Sequence, residues 1–262
     1  MSELSFGSKP SAATLDTATL DTATPMGEHG RVDAGSTPTP TVRPTDRRLR
    51  LSGSQEAPRG RGLLHLGALV VALPAGGVLV WRDGPGGGVG LYAVALVALY
   101  AVSASYHLRS WGPTGRRRMR QVDHEMIFLF IAASATPYCL LGVPGELSDV
   151  VLGLVWFGAA AAAVAVATRF EASRRVTSIA YVVLGWLAVV TLPEAVHHLG
   201  ARQLALLGSL ALFYTGGAAV LAARWPDPAP KVFGYHEVWH SMVVIASACG
   251  FALVWSLAGS HH

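Results

Sequence analysis

The chain has 262 residues, 52% of them apolar and only 14% charged, with a mean hydropathy of +0.42 and a formal net charge of +4. That balance is too apolar for a water-soluble enzyme of this length. Two cysteines, Cys139 and Cys249, both sit in apolar runs, which excludes a disulfide framework and a CxxC metal or redox motif.

The first element is a polar tail. Residues 1–58 hold one aromatic, Phe6, a repeated TLDTA (14–18 and 19–23) and the run STPTPTVRP (36–44), which cannot bury enough apolar surface to offset ordering entropy. No apolar stretch of the kind a secretory signal needs opens the chain. The expectation is a disordered cytosolic tail. Arg43, Arg47, Arg48 and Arg50 of the tail, with Arg59 and Arg61 just after it, precede the first apolar segment, where they can serve as a topology signal or bind anionic lipid.

Seven uncharged apolar runs follow, at 63–81, 89–106, 126–143, 150–168, 176–193, 204–223 and 238–258. Each is about 18 to 21 residues, enough at about 1.5 Å per residue to cross a hydrocarbon core of about 30 Å. A membrane β-barrel would instead alternate in segments of about ten residues. The expected fold is therefore an all-α, seven-helix integral membrane bundle over 60–258, its helices packed through recurring Ala, Gly and Ser.

Loop charges give the direction. One set of loops carries Arg109, Arg116, Arg117, Arg118, Arg120, Arg169, Arg174, Arg175, Arg224 and Lys231, and the other only Arg82 and Arg202. The positive-inside rule puts the first set in the cytoplasm, with the amino end inside and the carboxyl end outside. The same asymmetry accounts for a pI near 9.3, so no nucleic-acid partner is needed.

Ionisable groups at membrane depth are functional candidates. His197, His198, His261 and His262 fall at the outer side and read as solvated surface. His107 closes the second run, Asp123 and His124 open the third, and His236 and His240 open the seventh, all at ends assigned to the cytoplasm. His236 and His240 are one helical turn apart, a spacing that lets two imidazoles share a metal. With His107 they make the three-imidazole set of a catalytic zinc, and Asp123 could hold or deprotonate a water there. Ser103 stands one turn before His107. The alternative is a set of interfacial histidines hydrogen-bonded to loop carbonyls. His65, near the same end of the first run, and His124 are each open to a role as fourth ligand, second-layer partner or packing residue.

His236 to His240 spells HExxH, the metalloprotease helix signature with Glu237 as base. Residues 241–262 supply no Asp or Glu and no His on the same side, so a third ligand must come from upstream. That favours His107 and leaves Glu237 as a helix-end residue.

In combination, SASYHLRSW (103–111), RQVDHEMIF (120–128), Thr136-Pro137, Gly185-Trp186 and FGYHEVWH (233–240) resemble the bacterial hemolysin III proteins, which belong with the adiponectin and progestin receptors in the PAQR family. The resemblance spans all seven runs and excludes the tail. It implies a seven-helix bundle with an intracellular amino end and a zinc in the cytoplasmic leaflet, held by His107, His236 and His240. Asp123 and Ser103 would neighbour the water or the substrate. Wider relatives, including the alkaline ceramidases, imply hydrolysis of a lipid amide bond, while the family name implies lysis of cells. Gly250 stands where bacterial relatives usually carry His, and Ala133 to Ala135 replaces a Gly-Thr-Tyr stretch, which bears on substrate selection. The alternatives to a hydrolase are a lipid-sensing or receptor protein with a structural zinc and a membrane-lytic protein, though no span carries a polar stripe to line a water path.

Overall fold

The structure, a computed structural model, describes residues 60–168, 174–229 and 232–259. The expected tail, Arg169, Lys231 and the terminal His261 and His262 lie outside the described residues. Within them the chain forms helices α1 (Gly60–Asp83), α2 (Val89–Leu108), α3 (Pro113–Pro137), α4 (Glu146–Thr168), α5 (Arg174–Trp186), α6 (Leu192–His198), α7 (Ala201–Ala223) and α8 (Tyr235–Ala258), and no β-strand. A π-helical turn, Tyr138–Gly142, prolongs α3, and a 3-10 turn, Leu187–Thr191, joins α5 to α6. Seven spans long and apolar enough to cross a membrane result, with α5, its 3-10 turn and α6 forming the fifth.

Both irregular turns trace to a proline. Pro193 has no N–H to offer the carbonyl of Val189, which instead receives the N–H of Leu192 in a 3-10 bond. Pro137 likewise leaves Ala133 without its usual donor; Tyr138 turns its N–H to Ala135, and Val143 closes the π turn on Tyr138 at 3.2 Å. Thr136 and Thr191 return hydroxyl hydrogen bonds to Ala132 (2.9 Å) and Ala188 (2.7 Å), and the Tyr138 hydroxyl meets Thr191 at 2.8 Å, tying the two turns together.

Consecutive spans run antiparallel. A Cβ placed on Gly62 would strike Leu108, so the start of α1 lies against the end of α2, and Gly216 and Gly217 receive Met242 and Trp239 of α8. At the other end of α2, Gly88 holds φ +80° with Thr136 close enough that a side chain would collide with it. The main core is built by α1, α2, α3 and α8 around Leu79, Tyr92, Leu96, Tyr100, Phe130 and Val254. Half of the α2 and α3 windows is buried, against 11% for α7. The outward faces are nevertheless apolar, with Val70, Val94, Phe157, Val164, Val183 and Leu212 all exposed, as lipid-facing surfaces require.

Candidate metal centre

The centre forms where the last turn of α2 meets the first turns of α8. His107 occupies the last turn of α2, and His236 and His240 lie on one face of α8. Among the described residues, these three form the group in which one ring nitrogen from each histidine lies within 4.8 Å of the others. Ring centroids stand 5.4 Å apart for His107 and His236, 5.1 Å for His107 and His240, and 4.6 Å for His236 and His240. Trp239 flanks both α8 rings, at 5.2 and 4.7 Å. Both rings have these and other contacts, but their Nε2 atoms are buried and take no hydrogen bond within the described residues.

The first turn of α8 is held by two carboxylates. Glu237 reaches back so that its Oε2 accepts the N–H of Gly234 at 2.8 Å, and Asp227 Oδ1 accepts the N–H of Tyr235 at 2.8 Å. These satisfy donors that an isolated helix start leaves open, and they favour the positive end of the helix dipole. Glu237 is fully buried in that role.

On the α3 side, Asp123 is buried and hydrogen-bonded to Ser103 of α2. Ser103 sits one turn before His107, so the carboxylate is linked to the helix that carries His107 through a single hydroxyl. Three imidazoles, a hydroxyl and a carboxylate thus share one layer of the bundle. Neutral imidazole nitrogen suits zinc, and three such donors are the ligand number of an open zinc site.

The description Haemolysin-III related belongs to a family model that matches residues 54–251, and that range contains every one of these residues. The chain belongs to that family. Its similarity to individual members is distributed across bacteria and animals. The chain is 26% identical over 164 residues to Hemolysin-3 of Bacillus cereus, covering 63% of this chain and 72% of that protein. It is equally similar over 169 residues to the monocyte to macrophage differentiation factor of Homo sapiens (63% and 68%), and over 164 residues to the Hemolysin-3 homolog of Bacillus subtilis strain 168 (63% and 74%). No solved structure matches.

This haemolysin-III chain brings together His107, His236 and His240, and hydrogen-bonds Asp123 to Ser103, one turn before His107. It separates the two histidines whose roles the sequence leaves open. His124 turns its Nδ1 to the carbonyl of Arg120 in its own helix at 2.6 Å, and Tyr181 donates to the His124 carbonyl at 3.3 Å. His65 is buried and meets His240 directly, its Nε2 2.7 Å from His240 Nδ1. His198 bonds the Glu194 carbonyl at 2.9 Å on an exposed helix end, in keeping with a surface role. Two features have no sequence signal: the hydrogen bond between Tyr100 of α2 and Ser247 of α8, and the role of Asp227 as a donor trap for α8. Both depend on helix rotation and loop path, which hydropathy does not encode.

Proposed function

We propose that the protein is a zinc-dependent hydrolase of amide bonds in membrane lipids, with the metal held by His107, His236 and His240 at the cytoplasmic end of the bundle. The observation that carries this reading is the convergence of three ring nitrogens within 4.8 Å, contributed by helices more than a hundred residues apart in sequence. A bound zinc supplies Lewis acidity toward a carbonyl oxygen and acidifies water in its open position.

The chain supplies the rest. Asp123 takes the proton of the attacking water on a carboxylate oxygen and returns it to the nitrogen that leaves as the amide bond breaks. Ser103 fixes which way that carboxylate points, because its hydroxyl bonds it from the neighbouring helix. Burial of Ser103 and Asp123 keeps bulk water from the site. A lipid substrate suits an amphiphile-depth site in a bundle whose outer surface is apolar, since it can enter laterally. Support for the cytoplasmic side comes from the basic residues that crowd the same helix ends, Arg109, Arg116, Arg117, Arg118 and Arg120.

The test has two stages on detergent-purified full chain. Elemental mass spectrometry should find about one zinc per chain, reduced in His107→Ala, His236→Ala and His240→Ala. N-acyl lipids should then be turned over by wild type, and Asp123→Asn should lower turnover by about 10²- to 10⁴-fold with zinc retained. A zinc-loaded wild type that binds but never cleaves a broad panel of acyl amides and esters would overturn the hydrolase in favour of a lipid sensor with structural zinc.

A further inference from the structure

The last turn of α2 and the first turns of α3 enclose a cavity of about 200 Å³, lined by Tyr106, Pro113, Arg116, Arg117 and Arg120. It lies beside the metal centre, because the ring of Tyr106 on its wall stands 4.6 Å from the ring of His107. The Arg116 guanidinium lies 6.0 Å over the same Tyr106 ring, a cation–π contact that ties α3 to α2.

The corner that carries the cavity is braced. Only Arg109, Ser110, Trp111 and Gly112 separate the end of α2 from the start of α3. Trp111 folds back so that its Nε1–H donates to the Ser105 carbonyl at 3.1 Å, and a Cβ on Gly115 would stand 3.3 Å from its ring. The Arg109 guanidinium lies 5.0 Å over that ring. The arginines of α3 therefore start from a fixed turn, which reduces the ordering entropy lost when they close on a ligand.

Charge and depth together define the ligand. Three guanidinium groups face one concavity at a helix start whose first turn has no acidic side chain to offset them. Arg118, on the same helix, does not line the cavity; Arg116, Arg117 and Arg120 share a face because they stand three and four residues apart. A topology signal requires only that the charge be on this side of the membrane, not that the side chains converge. Guanidinium forks match the oxygens of a phosphate, and Tyr106 adds a hydroxyl donor on the wall. Tyr106 is the last residue of the second apolar run, and Arg120 stands six residues before the third, about 9 Å at about 1.5 Å per residue. That is the level of the headgroup layer, about 5–8 Å thick on each side of the hydrocarbon core, where phospholipid phosphates lie.

We propose that this cavity binds the phosphate of an anionic phospholipid headgroup, with Arg116, Arg117 and Arg120 supplying the charge and Tyr106 a hydroxyl. The site does not depend on zinc. A phosphate bound there bridges α2 and α3, the helices that carry His107 and Asp123, and holds a lipid at the edge of the metal centre.

The experiment counts lipid bound to the full chain, purified in a neutral detergent, by native mass spectrometry. Phosphatidylglycerol is titrated alone and against inorganic phosphate as competitor, and phosphatidylcholine is titrated for comparison. One phosphatidylglycerol per chain should bind in preference to phosphatidylcholine, and inorganic phosphate should leave it in place. Arg116→Gln combined with Arg120→Gln should weaken that binding about 10- to 30-fold. Arg118→Gln combined with Arg224→Gln removes the same charge from the same end of the bundle and should change it less than about threefold. Equal losses in the two pairs would overturn the proposal, since only long-range attraction would remain, and so would equal binding of phosphatidylcholine. Displacement by inorganic phosphate would overturn the lipid as the source and give the cavity to a soluble phosphate. If the first pair does not fold, Arg116→Gln alone takes its place, with Arg118→Gln alone as its control.

Discussion

At the scale of single residues, Glu237 stands between two proposed ligands in HExxH, where a metalloprotease keeps its general base. Its carboxylate is occupied otherwise, accepting the Gly234 N–H at 2.8 Å and closing the first turn of the helix that carries both histidines. Glu237→Ala should therefore lower stability by about 1–2 kcal/mol, the usual loss for a helix cap, read as a lower detergent-solubilised Tm. Glu237→Gln keeps an oxygen acceptor and should retain most of that stability, together with wild-type zinc content and turnover. A collapse of turnover in Glu237→Gln with zinc intact would return Glu237 to catalysis. His65 marks the limit of what single residues disclose: its position near one end of the first span is readable from sequence, but the rotation of α1 that aims it at His240 is not. Depth follows from counting residues, whereas azimuth is set by packing of Leu79, Tyr92 and Tyr100, which no local pattern encodes.

At the scale of elements, hydropathy reads solvent and not backbone. It starts the third run at residue 126, yet α3 begins at Pro113, because Arg116, Arg117, Arg118 and Arg120 are good helix formers outside an apolar window. It ends the fifth run at residue 193, yet the chain passes from the 3-10 turn into α6 at Leu192 and continues to His198. It also treats Arg82 as a loop charge. In the fold Arg82 pairs with Asp83 at 2.5 Å, donates to the Trp255 carbonyl at 2.7 Å and lies 3.6 Å over the Trp255 ring, locking the end of α1 to the end of α8. A charge-assisted hydrogen bond and a cation–π contact together are worth about 1–3 kcal/mol at a partly exposed site. Arg82→Ala should lower Tm by a few degrees without changing zinc content, since this joint is at the opposite end of both helices from His65 and His240. Zinc loss on a par with His240→Ala would instead show that the whole α1–α8 interface is one unit with the metal centre.

At the scale of the whole molecule, the apolar exposed faces of all seven spans and the family match establish a multi-pass membrane protein, and the remaining question is direction. The histidine layer lies at the same helix ends as Arg109, Arg116, Arg117, Arg118 and Arg120, while the α1–α2 turn lies at the other. The positive-inside rule predicts that this side is cytoplasmic, and the proposed hydrolase of inner-leaflet lipid requires the site there. Cysteine labelling decides it. With Cys139 and Cys249 replaced by Ala, Gly86→Cys in the exposed α1–α2 turn and Ser110→Cys in the exposed α2–α3 turn provide one thiol on each side. Gly86 has open space for a side chain, so the substitution does not disturb the turn. A membrane-impermeant maleimide applied to intact cells should label Gly86→Cys and spare Ser110→Cys, with both labelled after permeabilisation. The opposite pattern would move the three histidines, Ser103 and Asp123 to the outer leaflet: the ligand set would stand, but the substrate would have to be a lipid that faces outward.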